Sequence, residues 1–325
     1  MPQDDRIRFA TDLCTFYDPR IWGGEGGYAD IGSLFEWGTW NEERFWHRIL
    51  TDVASAGLDG IEITFSPGDW RSALRAFGSA SAFRAEVERY GLEVCAGFLS
   101  SRIPGFTDRM DLADSEHQPH VLALVDQYAA FLAECGASTM VTALTLRQTR
   151  LADPPFFADI HHAIPVADTL NRMGAICARH GVTLALHPEA FTVLRNARDV
   201  DLFMLLTDPT YVGLCPDTAQ FTVGGSDPVT ITDRHRDRVV LTHWKDAIGA
   251  APPDVEIDDR IFQTQIQWFA QVGQGIVDWH RWARTLRDMN YRGWAVFELD
   301  GALDPPADLR AIRQYVETSL GSLIT

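Results

Sequence analysis

With 325 residues, 46% of them hydrophobic, the chain can bury a full-size core, and no run reaches the ~20 apolar residues that a bilayer-spanning helix needs. A net charge of −17, spread along the chain and not gathered in a tail, repels phosphate backbones and anionic lipid, so neither nucleic acid nor membrane is expected as a partner. Cys14, Cys95, Cys135, Cys177 and Cys215 stand singly, without the paired spacing of a zinc ribbon or redox motif, and suit free thiols; the charged start "MPQDDRIRF" is unlike a secretory leader, so a cytoplasmic location is expected.

In chain order, short runs rich in β-branched or aromatic residues recur as "IRFATDLC" (7–14), "GIEITF" (60–65), "EVCAGFL" (93–99), "TMVTALT" (139–145), "VTLALHPE" (182–189), "VGLCPDT" (212–218), "RVVLTHW" (238–244) and "WAVFELD" (294–300). Each is followed by an amphipathic stretch. "WRSALRAFGSASAFRAEVERYG", "VLALVDQYAAFLAECG" and "VADTLNRMGAICARHG" each read as one helix closing on a glycine that can adopt the left-handed conformation. Strand and helix alternating eight times predict a single (β/α)8 TIM barrel over residues 1–325. An open doubly wound sheet usually carries a Gly-x-Gly-x-x-Gly turn after its first strand; "WGGEGG" (22–27) has the wrong spacing and reads as a loop. Two connections are long, 15–41 after strand one and 247–276 after strand seven. Their aromatic residues (Trp22, Phe35, Trp37, Trp40, Phe262, Trp268, Phe269) predict an ordered cover over the barrel mouth or a contact in a homo-oligomer.

In a barrel, the carboxyl ends of the last four strands bring His187 and Glu189, Asp217, His243 and Glu298 to one opening. Imidazole with carboxylate suits a divalent cation such as Mn²⁺, Zn²⁺, Co²⁺ or Fe²⁺, and the lack of thiols argues against a structural zinc knot. A histidine alone in an apolar run is more often a satisfied core residue; ionisable groups at four successive strand ends are poorly explained that way. Lys245 and Asp246 follow His243 directly, either as an exposed ion pair in a loop or as groups at the site, with Lys245 steadying a developing oxyanion. Glu62 alternates with Ile61 and Ile63 and so points inward, where a carboxylate is costly unless paired or bound; it is expected to meet substrate or support those that do.

The segments "LALHPE", "CPDTAQ", "HWKDA", "VGQGIVDW" and "GWAVFELD" resemble the xylose isomerase-like TIM barrels, which include sugar epimerases, inosose isomerases and dehydratases, and endonuclease IV. The resemblance implies one divalent metal, Mn²⁺ first with Zn²⁺, Co²⁺, Fe²⁺ or Mg²⁺ as alternatives, and a polyhydroxylated carbonyl substrate. By position, Asp217, His243 and Glu298 match three of the family's ligands. Strand five departs: where the epimerases place a glutamate that both ligates and exchanges the proton, this chain has His187, with Glu189 two residues on. Either His187 ligates and Glu189 is the acid/base, or the roles are reversed. Gln220 stands where the epimerases tend to carry a histidine and, with Asp246, is expected to contact substrate.

The implied reaction is proton abstraction beside a carbonyl through an enediolate, with Glu189, Glu298 and Lys245 as the catalytic groups. A sugar isomerase or epimerase is the first expectation. An inosose dehydratase-like lyase, or a subunit eliminating from a keto-glycoside, is the alternative. An endonuclease IV-like phosphodiesterase needs a trinuclear cluster with more histidines and a basic groove, which this acidic chain does not offer, and a sugar-binding protein without catalysis is the remaining reading.

Overall fold

The computed structural model describes residues 6–99, 111–150 and 158–324. Eight parallel strands form one curled sheet: β1 (Arg8–Asp12), β2 (Gly60–Ile63), β3 (Glu93–Leu99), β4 (Thr139–Thr142), β5 (Thr183–Leu186), β6 (Val212–Leu214), β7 (Thr242–Trp244) and, after a short two-stranded ribbon of β8 (Asp246–Ala247) and β9 (Phe269–Ala270), β10 (Trp294–Phe297). Strand order is β6-β5-β4-β3-β2-β1-β10-β7. The two edges, β6 and β7, meet through parallel bridges Leu214↔Val239 and Asp217↔His243, with Val240 N donating to Leu214 O at 3.1 Å and His243 N to Pro216 O at 3.0 Å. These bonds close the barrel, as the alternation of strand and helix predicts.

The strands stop earlier than their apolar runs. β5 ends at Leu186, β6 at Leu214 and β10 at Phe297, so His187, Asp217 and Glu298 lie just past the ladder. The alternation of faces still continues through them: His187 N donates to Thr142 O at 2.8 Å and Glu298 N to Trp244 O at 3.3 Å. Inward-facing residues of the strands build a small cluster of Ala10, Cys95, Ala96, Val141, Ala185, Cys215, Leu241 and Val296. Two residues further along the same faces come Asp12, His187, Asp217, His243 and Glu298. A floor of small apolar side chains therefore carries a layer of ionisable ones. Outward-facing residues enter the main core between strands and helices, where Trp244 packs among Phe9, Trp279, Trp282 and Phe297. This is why "LTHWKDA" mixes types: Leu241, His243 and Lys245 face one way, Thr242 and Trp244 the other.

One sequence expectation needs correction. The stretch after β2 is two helices, Trp70–Phe77 and Ala80–Arg89, because Gly78 takes φ 83° and ends the first while Ser79 caps the second by accepting from Ala82 N at 3.1 Å. The connection after β1 carries 3₁₀ turns at Leu13–Phe16, Pro19–Trp22 and Tyr28–Asp30 and a helix at Ile31–Trp40. Trp22 stacks on Phe45 at 5.0 Å and lies 4.8 Å from Trp37, and Trp268 packs on Phe191 at 5.4 Å, so most of the aromatic residues in the long connections are sequestered; Trp40 remains 84% exposed. Among the described residues, no helix is long and apolar enough to cross a membrane.

Candidate metal and substrate site

Four of the predicted residues converge. One donor atom each from His187, Asp217, His243 and Glu298 lies within 4.8 Å of the other three, at the carboxyl end of the barrel. Asp217 is oriented by the helix it starts: Oδ1 caps Thr218–Val223 by accepting from Gln220 N at 2.7 Å, leaving the buried Oδ2 without a hydrogen bond and 3.5 Å from His187 Nε2. His243 is held from both sides, Nε2 2.7 Å from Glu62 Oε2 and Nδ1 3.0 Å from Glu298 Oε2. The first contact is close but not aligned as a hydrogen bond, so both Glu62 oxygens and His243 Nε2 remain buried without one. Both nitrogens of His187 are likewise buried and unbonded. Buried polar atoms are nearly always satisfied. Six such atoms on four adjoining residues, two imidazoles and two carboxylates, fit a divalent cation of the Mn²⁺, Zn²⁺, Co²⁺ or Fe²⁺ type.

Glu189 stands outside the quartet, its Oε1 3.7 Å from His187 Nδ1 and its carboxylate on the cavity wall. Burial alone would lower the pKa of His187, yet the neighbouring carboxylates of Asp217 and Glu189 raise it to about 8. For Glu298 burial works upward, but Lys245 and His243 outweigh it and hold the carboxyl well below the usual range. Lys245 is fully buried; its ammonium touches Glu298 Oε1, lies 2.7 Å from Asp300 Oδ2 and sits 4.1 Å from the Phe269 ring centroid. Desolvation opposes that charge, and Asp300 and Glu298 more than restore it, so Lys245 stays protonated. The structure therefore places Lys245 behind Glu298, not against the cavity, and the expected direct role on an oxyanion gives way to one of holding Glu298.

A cavity of about 520 Å³ opens above this layer. Asp12, His187, Glu189, Gln220, Glu298 and Asp300 line its polar end; Phe35, Phe65, Trp70, Phe98, Tyr128 and Phe262 supply much of the rest. The connections after β1 and β7 thus both reach the mouth, the first with Tyr28 and Phe35, the second with Phe262 and Gln265. Gln220 lines the cavity while its Oε1 accepts from Ala190 N at 2.9 Å, fixing the turn beside Glu189. Glu62 lies beneath His243 and orients it, away from the cavity wall.

Asp246 does not reach the cavity. Its carboxylate turns outward and accepts from Gly273 N (3.0 Å), Gly275 N (3.0 Å), Val277 N (3.1 Å) and Trp279 Nε1 (2.7 Å), pinning the "VGQGIVDW" segment against the barrel. One step beyond Lys245, it is on the opposite face, so the expected contact with substrate hydroxyls is replaced by a structural one. Asp12 and Asp300 are residues the sequence reading missed. Both follow by alternation, Asp12 two after Ala10 and Asp300 two after Glu298. Tyr28 donates to Asp300 Oδ1 at 2.8 Å, tying the connection after β1 to the same network.

Comparison with known proteins agrees with this fold. An inosose dehydratase of Halalkalibacterium halodurans is 27% identical over 285 residues, 84% of this chain and 87% of that one. Among solved structures, an IOLI protein with a bound zinc atom superposes with a TM-score of 0.67 at 13% identity, covering 97% of this chain and 99% of that one. An L-ribulose 3-epimerase gives 0.67 at 15%, covering 98% and 95%. The family profile described as Xylose isomerase-like TIM barrel matches residues 50–318, a span that runs from the helix before β2 past β10 and holds every residue of the buried quartet; the chain belongs to that family.

Proposed function

We propose that the chain is a divalent-metal-dependent enzyme that removes a proton beside the carbonyl of a keto-sugar or keto-cyclitol. The observation that carries this is a buried donor quartet with unsatisfied atoms, next to a carboxylate, Glu189, that stands outside it and lines the cavity. His187, Asp217, His243 and Glu298 hold the metal in this reading, and when bound it supplies Lewis acidity to a carbonyl oxygen and its neighbouring hydroxyl, which acidifies the carbon-bound proton between them. Glu189 takes that proton as general base. Glu62 and Lys245 hold His243 and Glu298 in place from behind, as outer partners of metal ligands do.

Loss of a β-hydroxyl, a dehydration, is the fate of the carbanion that the arrangement favours. Reprotonation from the opposite face needs a second mobile acid, and Glu298, the opposing carboxylate, is held ionised between Lys245 and His243. The similarity to an inosose dehydratase supports the same choice. Isomerisation or epimerisation is the second reading, supported by the shared fold with an epimerase and by Asp12, a further carboxyl on the cavity wall. The test is incubation with Mn²⁺ and a panel of inososes and ketoses in deuterated water. A conjugated diketone product is expected; deuterium wash-in without it supports the isomerase. Glu189→Gln should keep its metal and lose about 10²–10⁴ in rate. Full activity in that variant, or in metal-stripped protein, overturns the proposal.

A further inference from the structure

The cavity carries one cation whose placement the metal chemistry does not use. Asp12, Asp69, Glu189, Glu298 and Asp300 are its carboxylates, and Arg71 is the single arginine or lysine on its wall among the described residues. Arg71 is the second residue of the helix Trp70–Phe77, whose first turn contains no acidic residue. A cation is disfavoured there, because the helix dipole and its free N–H groups are positive at that end. Asp69 influences it at longer range, but no carboxylate oxygen of a described residue comes within ion-pair distance. Its guanidinium instead lies 4.4 Å over the Trp70 ring, and Trp70 in turn stacks on Tyr128 at 5.7 Å. Two aromatic rings thus shelve a guanidinium at the cavity wall, on the connection after β2, while the quartet is built from the ends of β5 to β10 across the barrel.

A chain of net charge −17 has acid to spare for pairing an arginine, and among the described residues this one has no carboxylate at ion-pair distance beside a helix start. The flat, five-donor guanidinium matches the oxygens of a carboxylate or phosphate, which would also gain from the same helix end. We infer that Arg71 is a specificity-determining residue that selects substrates bearing an anionic oxygen group, carboxylate or phosphate, remote from the reacting carbonyl. The polar floor holds the carbonyl and hydroxyl end, Arg71 the anionic end, and the molecule spans the cavity with its ring or chain against Phe65, Trp70 and Tyr128. This inference rests on the proposed reading of the floor as the reacting end.

Calorimetry with non-reacting polyols tests it on the full chain loaded with Mn²⁺. D-sorbitol, D-sorbitol 6-phosphate and D-gluconate are titrated into the unsubstituted protein, Arg71→Met and Arg71→Lys. The ratio of anionic to neutral affinity within each protein is the readout, so a general loss of binding does not mimic the effect. We expect a ratio of at least tenfold in the unsubstituted protein, near unity in Arg71→Met and intermediate in Arg71→Lys. Preference for the phosphate alone identifies a phosphorylated substrate, preference for gluconate alone a sugar acid. A ratio near unity in the unsubstituted protein, failure of both anionic polyols to bind, or an unchanged ratio in Arg71→Met overturns the inference. The reading of the floor fails separately, when stripping the metal leaves the affinity for every polyol unchanged.

Discussion

His243 shows how much of this site is decided by single side chains. Its two nitrogens face Glu62 and Glu298, and the imidazole can offer only one edge to a metal because Glu62 occupies the other. His243→Ala and Asp217→Ala should each lower Mn²⁺ affinity by more than the 10–100-fold that loss of an outer partner costs, measured by metal content after dialysis. Glu62→Gln should fall within that 10–100-fold range, since it leaves the quartet intact and frees only the ring that Glu62 orients. Lys245→Met is a different case. It leaves Glu298 and Asp300 buried without their shared cation, which costs about 3–5 kcal/mol in unfolding by urea, and metal should recover part of that loss by neutralising Glu298.

Among the elements, the connection after β7 depends on one carboxylate. Asp246 gathers three backbone N–H groups and the Trp279 indole from residues 273–279, and β8 pairs with β9 through the same residue. Asp246→Ala would leave the buried Val277 N–H and Trp279 indole unpaired at about 1–3 kcal/mol each and release the part-buried amides of Gly273 and Gly275, so a loss of several kcal/mol is expected in equilibrium unfolding, with protection of the 247–276 amides from exchange lost first. Gly275 belongs to the same contact. A Cβ there would collide with Asp246 Oδ1 and Ala247 O, so Gly275→Ala should reproduce the loosening with Asp246 in place. Neither change touches the quartet, and metal content should survive both. A change that emptied the metal site as well would place Asp246 nearer the chemistry than its hydrogen bonds do.

At the scale of the whole molecule, the five thiols report on the barrel. All are buried, and burial raises each thiol pKa, to about 12 for Cys135 and Cys177 and about 11 for Cys215. The native protein should therefore resist iodoacetamide at pH 8, and the urea-unfolded chain should take up five equivalents. The sign of the linked pH effect follows: a pKa raised on folding means stability is complete below the unfolded thiol value near 9.0 and declines as pH rises from there towards 11 and 12. Thermal unfolding measured from pH 8 to 11 should show that decline, and rapid alkylation of the native chain at pH 8 would mean the barrel opens far more readily than its packing indicates.

Local chemistry determined much of this protein. Alternation of apolar runs with amphipathic stretches is a short-range pattern, and it was enough to predict eight parallel strands and to put His187, Asp217, His243 and Glu298 at one end of them. The same period of two contained Asp12 and Asp300, legible beside Ala10 and Glu298 but not singled out, because an acidic residue at the end of a run looks like any turn. What only the tertiary structure decided is direction and partnership. Lys245 and Asp246 are neighbours in sequence, yet one is driven inward between Glu298 and Asp300 while the other turns out to meet amides some 30 residues away, and no local propensity encodes which donors a long connection will bring back. Barrel closure fixes those encounters, since only the ring of strands sets β2 opposite the later strands and gives Glu62 an imidazole to hold.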